Sequence, residues 1–371
     1  MNGIKVTTVE NKKDLEAFIR LPWKIYAGNP AWVPPLVGDL KKMLDPAKNP
    51  FFKHARARYF LAWRNGEAVG RISAHVDDNH NAFHGERCGF FGFFDCIDDQ
   101  IVASALFDSA KGWIKTQGMD TMRGPFNFTT NDTAGLLIDA FDSSPVIEMT
   151  YNPPYYPKLL ESWGLAKAMD LFAYYFDVKK MNHERLAMLG RRVERKGIRF
   201  RNMDIRKFED DVKKFKEIYN QAWAKNWGFI PMTEFEMEHM AKSFKAIVDP
   251  DFLIFAFDGD RPVGALWALP DYNLVIKKLN GRMGPMEMLI FLLLKRRIRH
   301  ARVMTAGVVN DYRQRGIEAG LVARVFENGV KKGYTSGELS WVLADNVMMN
   351  RLAEAVGARV YKTYRVYEAK V

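Results

Sequence analysis

One order of elements occurs twice in this chain, and no other feature limits the fold so strongly. Residues 60–74 read FLAWRNGEAVGRISA and residues 254–268 read IFAFDGDRPVGALWA. Each is an apolar run, then Asn65-Gly66 or Asp258-Gly259, then a second apolar run centred on Val-Gly. Such pairs signal hairpins, because both turn residues tolerate positive φ. Ala62, Val69, Gly70 and Ala74 align without gaps on Ala256, Val263, Gly264 and Ala268. A short apolar strand (89–94; 303–309) follows each hairpin, then a helical pattern (100–116; 314–332) and another strand. Next comes a helix opened by Asn152 or Asn346 and closed at Gly164 or Gly357, and last an aromatic-rich strand (171–178; 360–368). The repeated order β-hairpin, β, α, β, α, β predicts an α+β fold with a mixed sheet, made of two tandem copies. They span 1–180 and 197–371, with a basic connecting helix over 181–196. The second copy carries an insertion, 270–300, that the first lacks.

Composition narrows the classes of function. The only cysteines, Cys88 and Cys96, exclude a disulfide framework and a Cys-rich zinc site, and fit a reducing compartment. The first residues hold no apolar signal core, and no apolar run approaches the roughly 18–20 residues that span a bilayer. A cytoplasmic protein is expected. The net charge of +11 attracts polyanions, whether nucleic acid, anionic lipid or a phosphorylated cofactor. No RNP, zinc-finger or helix-turn-helix pattern is present, so no specific nucleic acid is expected. The apolar run 288–294 precedes Lys295, Arg296, Arg297, Arg299 and Arg302. It is either a headgroup-layer segment, giving peripheral contact with the inner membrane face, or a buried helix with a basic exit. His75, His80 and His84 lie near Asp77 and Asp78, but in a polar loop after the hairpin, and no metal is expected.

The second copy's strand-to-helix junction reads AGVVNDYRQRGIEAGLVARVF. It resembles the acyl-CoA-binding segment of the GCN5-related N-acetyltransferase superfamily: an apolar strand, Arg/Gln-x-x-Gly-x-Gly/Ala, then a helix. Arg313, Gly316 and Ile317 match, while Glu318 stands where Gly or Ala is usual. ELSWVLADNVMMNRLAEAVGARVYKTYRVYE resembles the closing unit of that superfamily. Over the whole chain, RGPFNFTTNDTAGLLIDAF, MTYNPPYYPKLLESWG, NQAWAKNWGFIPMT and YRQRGIEAG resemble bacterial tandem-domain acyltransferases of the group that includes bacterial ceramide synthases. In that group an acidic residue tends to stand where Glu318 does. The resemblance implies an acyl-CoA-dependent N-acyltransferase, its donor an acyl-CoA or an acyl carrier, with an amine acceptor, here a long-chain (sphingoid) base. The other reading is a non-catalytic nucleic-acid- or anionic-lipid-binding protein on the same scaffold.

The resemblance places the cofactor on Val308 and Val309, on the loop residues Arg313, Gln314, Arg315 and Gly316, and on Ile317, Glu318, Ala319 and Gly320. Asn346 and Asn350 of the next helix complete the set. A helix N-terminus suits a pyrophosphate, since its N–H groups are unpaired and carry partial positive charge. The first copy reads DCIDDQIVASA there, without Gly or Arg and with Asp95, Asp98 and Asp99. It is expected to have lost the cofactor loop. Acyl transfer to an amine needs a base for the ammonium and an acid for the thiolate. Glu338 and Asp345 are the candidate bases and Tyr361, Tyr364 and Tyr367 the candidate acids. Glu338 and Tyr364 are assigned, and Glu338 is expected at a solvated strand position. Asn127, Asn131, Asn152 and Tyr155, with Asn226 and Trp227, stand in polar-aromatic loops suited to substrate contact.

Overall fold

Both predicted hairpins form in the computed structural model, which describes residues 3–245 and 247–371. The first turns on Asn65-Gly66, at φ 51° and 81°. The second turns on Gly259-Asp260, one residue beyond the predicted pair. The strands in chain order are β1 (Lys5–Thr8), β2 (Ala55–Arg64), β3 (Glu67–Asp77), β4 (Cys88–Cys96), β5 (Thr121–Gly124), β6 (Phe126–Asn127), β7 (Thr133–Ala134), β8 (Leu136–Leu137), β9 (Ala166–Asp177), β10 (Ile198–Asn202), β11 (Leu253–Asp258), β12 (Arg261–Pro270), β13 (His300–Val308), β14 (Ser336–Leu343) and β15 (Arg359–Lys370). The helices are α1 (Lys12–Ile25), α2 (Val37–Met43), α3 (Asp78–His84), α4 (Gln100–Thr116), α5 (Tyr156–Trp163), α6 (His183–Glu194), α7 (Phe208–Ala222), α8 (Glu234–Phe244), α9 (Asn273–Leu279), α10 (Pro285–Leu294), α11 (Ile317–Lys331) and α12 (Val347–Ala355). The insertion thus holds α9 and α10, and the stretch of His80 and His84 is the helix α3 rather than a loop.

The chain divides into two compact units. The first runs to Leu171 and adds Val275–Leu292 and Lys362–Val371; the second is Phe172–Leu274 with Leu293–Tyr361. In the first, β1, β2, β3 and β4 are antiparallel neighbours, and β4 runs parallel to β5. Helix α4 covers this sheet with Val102, Leu106, Ala110 and Ile114, all fully buried. Gly70 and Gly89 admit it, since a Cβ on either would lie 2.7 Å from Leu106 or 2.5 Å from Ile114. In the second, β10, β11, β12 and β13 are antiparallel neighbours, and β13 runs parallel to β14. Helix α11 covers β12 much as α4 covers β3, with Leu321 against Gly264. Helix α6 packs on α11, where Glu194 pairs with Arg324 at 2.9 Å. Cys88 and Cys96 are both buried thiols. Among the described residues no helix is long and apolar enough to cross a membrane.

The first unit buries two imidazoles. His75 donates from Nε2 to Phe128 O, 2.8 Å away, and its Nδ1 has no hydrogen-bond partner among the described residues. Neither ring nitrogen of His80 has one. Burial pulls their pKa values from 6.5 down to about 4 and about 3. Both rings are therefore neutral in the fold, whereas the unfolded chain protonates them below pH 6.5. Stability is complete above that pH and is lost as pH falls toward 4, at roughly 1.4 kcal/mol per unit for each ring. Urea midpoints measured from pH 7 to pH 4.5 should fall less steeply for His75→Gln and His80→Gln than for the unchanged protein. Equal slopes would show that these rings titrate normally.

Candidate active site

In both units the parallel strand pair parts after a few residues. β13 and β14 pair from His300 with Ser336 to Val303 with Leu339, and beyond that they no longer pair with each other. β4 and β5 pair only from Cys88 with Thr121 to Phe90 with Arg123. A parted pair leaves backbone N–H and C=O groups on its inner edges without ladder partners, and these require other ones. The two units meet this requirement differently.

The first unit fills its own fork. The chain leaves β5 and returns as the β6–β7 hairpin, and Phe126 lies so close to Gly92 that a Cβ there would sit 1.8 Å from Phe126 O. The side chain of Asn127 accepts from Phe93 N at 2.7 Å and donates to Thr133 Oγ1 at 3.0 Å. The helix start is occupied as well. Asp99 Oδ1 accepts from Ile101 N and Val102 N, at 2.8 and 3.3 Å, and its other oxygen meets Arg64 at 2.6 Å. An aspartate thus holds the place that an anion takes at a helix N-terminus.

The second unit leaves both places open. α11 begins at Gly316, which takes φ 83° and gives no side-chain cap; Gln314 before it takes φ 63°. The amides of Ile317, Glu318 and Ala319 head the helix, with Glu318 partly buried so that its carboxyl pKa is raised. Gly320 lies against Phe200, where a Cβ would meet the ring at 2.3 Å, so its smallness serves packing. Val309 N donates to Val263 O at 2.9 Å. By the alternation of a strand, Val308 then turns its N–H to the edge that β14 leaves. Val308 O, on that same edge, accepts from Arg313 Nε at 3.5 Å. Arg313 also reaches Ala222 O, and Arg315 stacks 4.4 Å over Tyr312 and donates to Asp311 O. Of the two expected strand amides, Val308 is the one that faces the opening. Asn346 caps α12 at Met349 N. Asn350 accepts from Tyr174 and donates to Leu343 O and Ala344 O, so its amide braces the loop after β14.

Glu338 is fully buried, not solvated. It stands on β14 opposite Arg302 of β13, one residue short of the point of parting. One carboxylate oxygen accepts from Tyr361 Oη; the other, Oε1, has no hydrogen-bond partner among the described residues. Tyr361 packs on Tyr175, which stacks on His300. Arg302 is also buried, donating to Ser340 Oγ at 3.0 Å and Ser340 O at 3.1 Å. It is no part of the exposed basic run to which its sequence neighbours belong. Trp223 closes the same unit over Gly307, with Tyr219 and Phe229 beside it. Asn226 donates its N–H to Trp223 O, and Trp227 follows in the same loop. Tyr364 is three residues past Tyr361, in the first unit, fully buried opposite Leu137. Asn127, Asn131, Asn152 and Tyr155 are also in the first unit. Asn152 clamps Leu137 through both N and O, and Tyr155 donates to Cys96 O at 2.8 Å. Arg302, Ser340 and Tyr361 escaped the sequence reading as a group, since only the folding together of β13, β14 and β15 brings them to Glu338.

No family model matches the chain. It is 36% identical over 375 residues to the bacterial ceramide synthase of Caulobacter vibrioides, covering 98% of this chain and 97% of that one. It is 34% identical over 372 residues to protein YghO of Escherichia coli, covering 99% and 95%. The chain belongs to their family. A tandem GNAT protein from the clavulanic acid biosynthesis pathway superposes with a TM-score of 0.60 at 12% identity, covering 99% of this chain and 98% of that one. The chain therefore has the tandem GCN5-related fold, with a mixed sheet in each unit.

Proposed function

We propose that the protein transfers the acyl group of an acyl-CoA to the primary amine of a long-chain base, at the second unit. The observation that carries this reading is Glu338, a buried carboxylate with one oxygen unengaged beside the parting of β13 and β14. The pyrophosphate rests on the amides of residues 315–320, with Arg313 and Arg315 near. The thioester oxygen takes the N–H of Val308, a fixed donor in a site walled by Trp223, Tyr219 and Phe229, where polarisation of the carbonyl is strong. Glu338 takes a proton from the ammonium through Oε1, and Tyr361 holds the carboxylate by the other oxygen. The free amine attacks the carbonyl carbon, the C–S bond breaks, the nitrogen gives up a second proton that the departing thiolate takes, an amide forms, and Glu338 releases the first proton to solvent. The domain limits expected above, 1–180 and 197–371, then mark a braced copy and a working copy.

The lipid acceptor is supported by the name of the Caulobacter relative and by α10. Met286, Leu289 and Leu293 on that helix are 65, 52 and 60% exposed, and Met283, Met288 and Leu292 are exposed too. Such a patch marks an interaction surface. Arg296, Arg297 and Arg299 follow it, also exposed. We place this segment in the headgroup layer of an anionic membrane, where the amine substrate resides.

Glu338→Gln keeps the shape and removes the base. It should lower turnover by roughly a hundredfold or more while coenzyme A binding by calorimetry stays unchanged. Full activity would exclude Glu338 as base. At about 1 kcal/mol per near-surface cation, changing Lys295, Arg296 and Arg297 to Glu should largely abolish cosedimentation with phosphatidylglycerol vesicles. Identical sedimentation would remove the membrane from the reading.

A further inference from the structure

The second unit holds a cavity that the reaction as described does not use. It encloses about 70 Å³, where one water needs roughly 10–15 Å³ on the same measure. Its walls are apolar: Val303 and Leu339 of the sheet, Val322, Phe326 and Gly329 of α11, and Leu352 of α12. Small residues make the room. Gly329 gives none of its own, and a Cβ there would meet nothing closer than 3.7 Å. The wall residues Val322, Phe326, Leu339 and Leu352 are half-buried, packing on one side against the buried cluster of Val342, Ala353 and Val356 and lining the cavity on the other. An apolar void of this size stays dry and takes an apolar guest.

Its position selects the guest. Side chains alternate across a strand. Ala301, Val303 and Leu339 face the cavity, on the side of α11 and α12. Arg302 and Glu338, between them in sequence, therefore face the other way, and the amine comes from that other side. The amides proposed to hold the pyrophosphate are on α11 itself, so the donor and the cavity share a side. Val303 and Leu339 are also the last paired residues before the strands part. The cavity thus begins at the base of the fork. Val308, where the thioester is placed, is five residues further along β13, or roughly 16 Å away. Lipid tails of a single leaflet fill about half of the ~30 Å hydrocarbon core of a bilayer, so a chain of that length bridges the distance and a short acyl group does not.

We infer that this cavity is the binding site for the distal end of a long saturated acyl chain carried by the donor. It deepens the proposed function and rests on the acyl-CoA reading of the second unit. The chain would lie under α11 and α12, and its length would be sensed by the walls at Gly329 and Leu352.

The test compares palmitoyl-CoA, hexanoyl-CoA and coenzyme A in calorimetry, below micelle-forming concentration, with the full chain. The unchanged protein should bind palmitoyl-CoA at least tenfold more tightly than hexanoyl-CoA. Gly329→Leu and Leu352→Trp, which fill the cavity from two different helices, should each erase that difference and leave coenzyme A affinity unchanged. Melting temperatures that hold or rise would show that both variants fold. If the palmitoyl preference persists in both folded variants, or is missing from the unchanged protein, the cavity is a packing void and this inference falls alone. If the unchanged protein does not bind coenzyme A at all, the acyl-CoA reading falls and takes this inference with it.

Discussion

A parallel strand pair that separates leaves a row of backbone polar groups facing one another across a gap, and these need partners as surely as those inside a sheet. Much of this protein is arranged around that need. In the first unit the chain supplies the partners itself: the β6–β7 hairpin lies against Gly92, Asn127 takes the N–H of Phe93, and Asp99 takes the amides at the head of α4. In the second unit the head of α11 has no side-chain cap, and on the matching edge of β13 Val308 O accepts from Arg313. One architecture thus yields a closed copy and an open copy, and the difference comes down to a few side chains. A carboxylate stands at one helix start where a glycine stands at the other.

Polar side chains are buried beside the same parting. Glu338 and Arg302 stand opposite each other in the last pair but one, so a carboxylate and a guanidinium are buried together just before the strands part. A buried carboxylate is costly unless it is hydrogen-bonded. Tyr361 satisfies one oxygen of Glu338 and Arg302 is tied to Ser340, which leaves Oε1 directed by its neighbours and not by solvent. Trp223, at the end of α7, packs over Gly307 of β13, with Tyr219 and Phe229 adjoining.

Much of the fold is legible in the sequence, because hairpin turns and helix caps are local signals. The duplicated hairpin, the helix after RQRGIEAG and the cap at Asn346 all follow from residues within a few positions of one another. The site is less legible, since it depends on register between distant segments. Glu338 reads as exposed because SGELSWVL alternates, yet a strand covered on both faces buries both sets of side chains. Arg302 reads as one cation in a basic run, but the strand begins at His300 and turns it inward. Asn127 reads as a ligand for substrate because polar residues beside aromatics resemble a recognition loop. Only the folded chain shows that its amide already serves Phe93. Tyr364, assigned by sequence, is buried opposite Leu137 in the first unit, whereas Tyr361 of the same strand is in the second unit and donates to Glu338.

Amide hydrogen exchange, with and without coenzyme A, tests the contrast between the two copies most directly. Bound coenzyme should slow exchange in residues 309–316 and at Ile317, Glu318 and Ala319, and should leave residues 91–102 unchanged, because Asn127 and Asp99 already occupy the equivalent amides. Protection appearing at 91–102, or none at 309–319, would contradict the account.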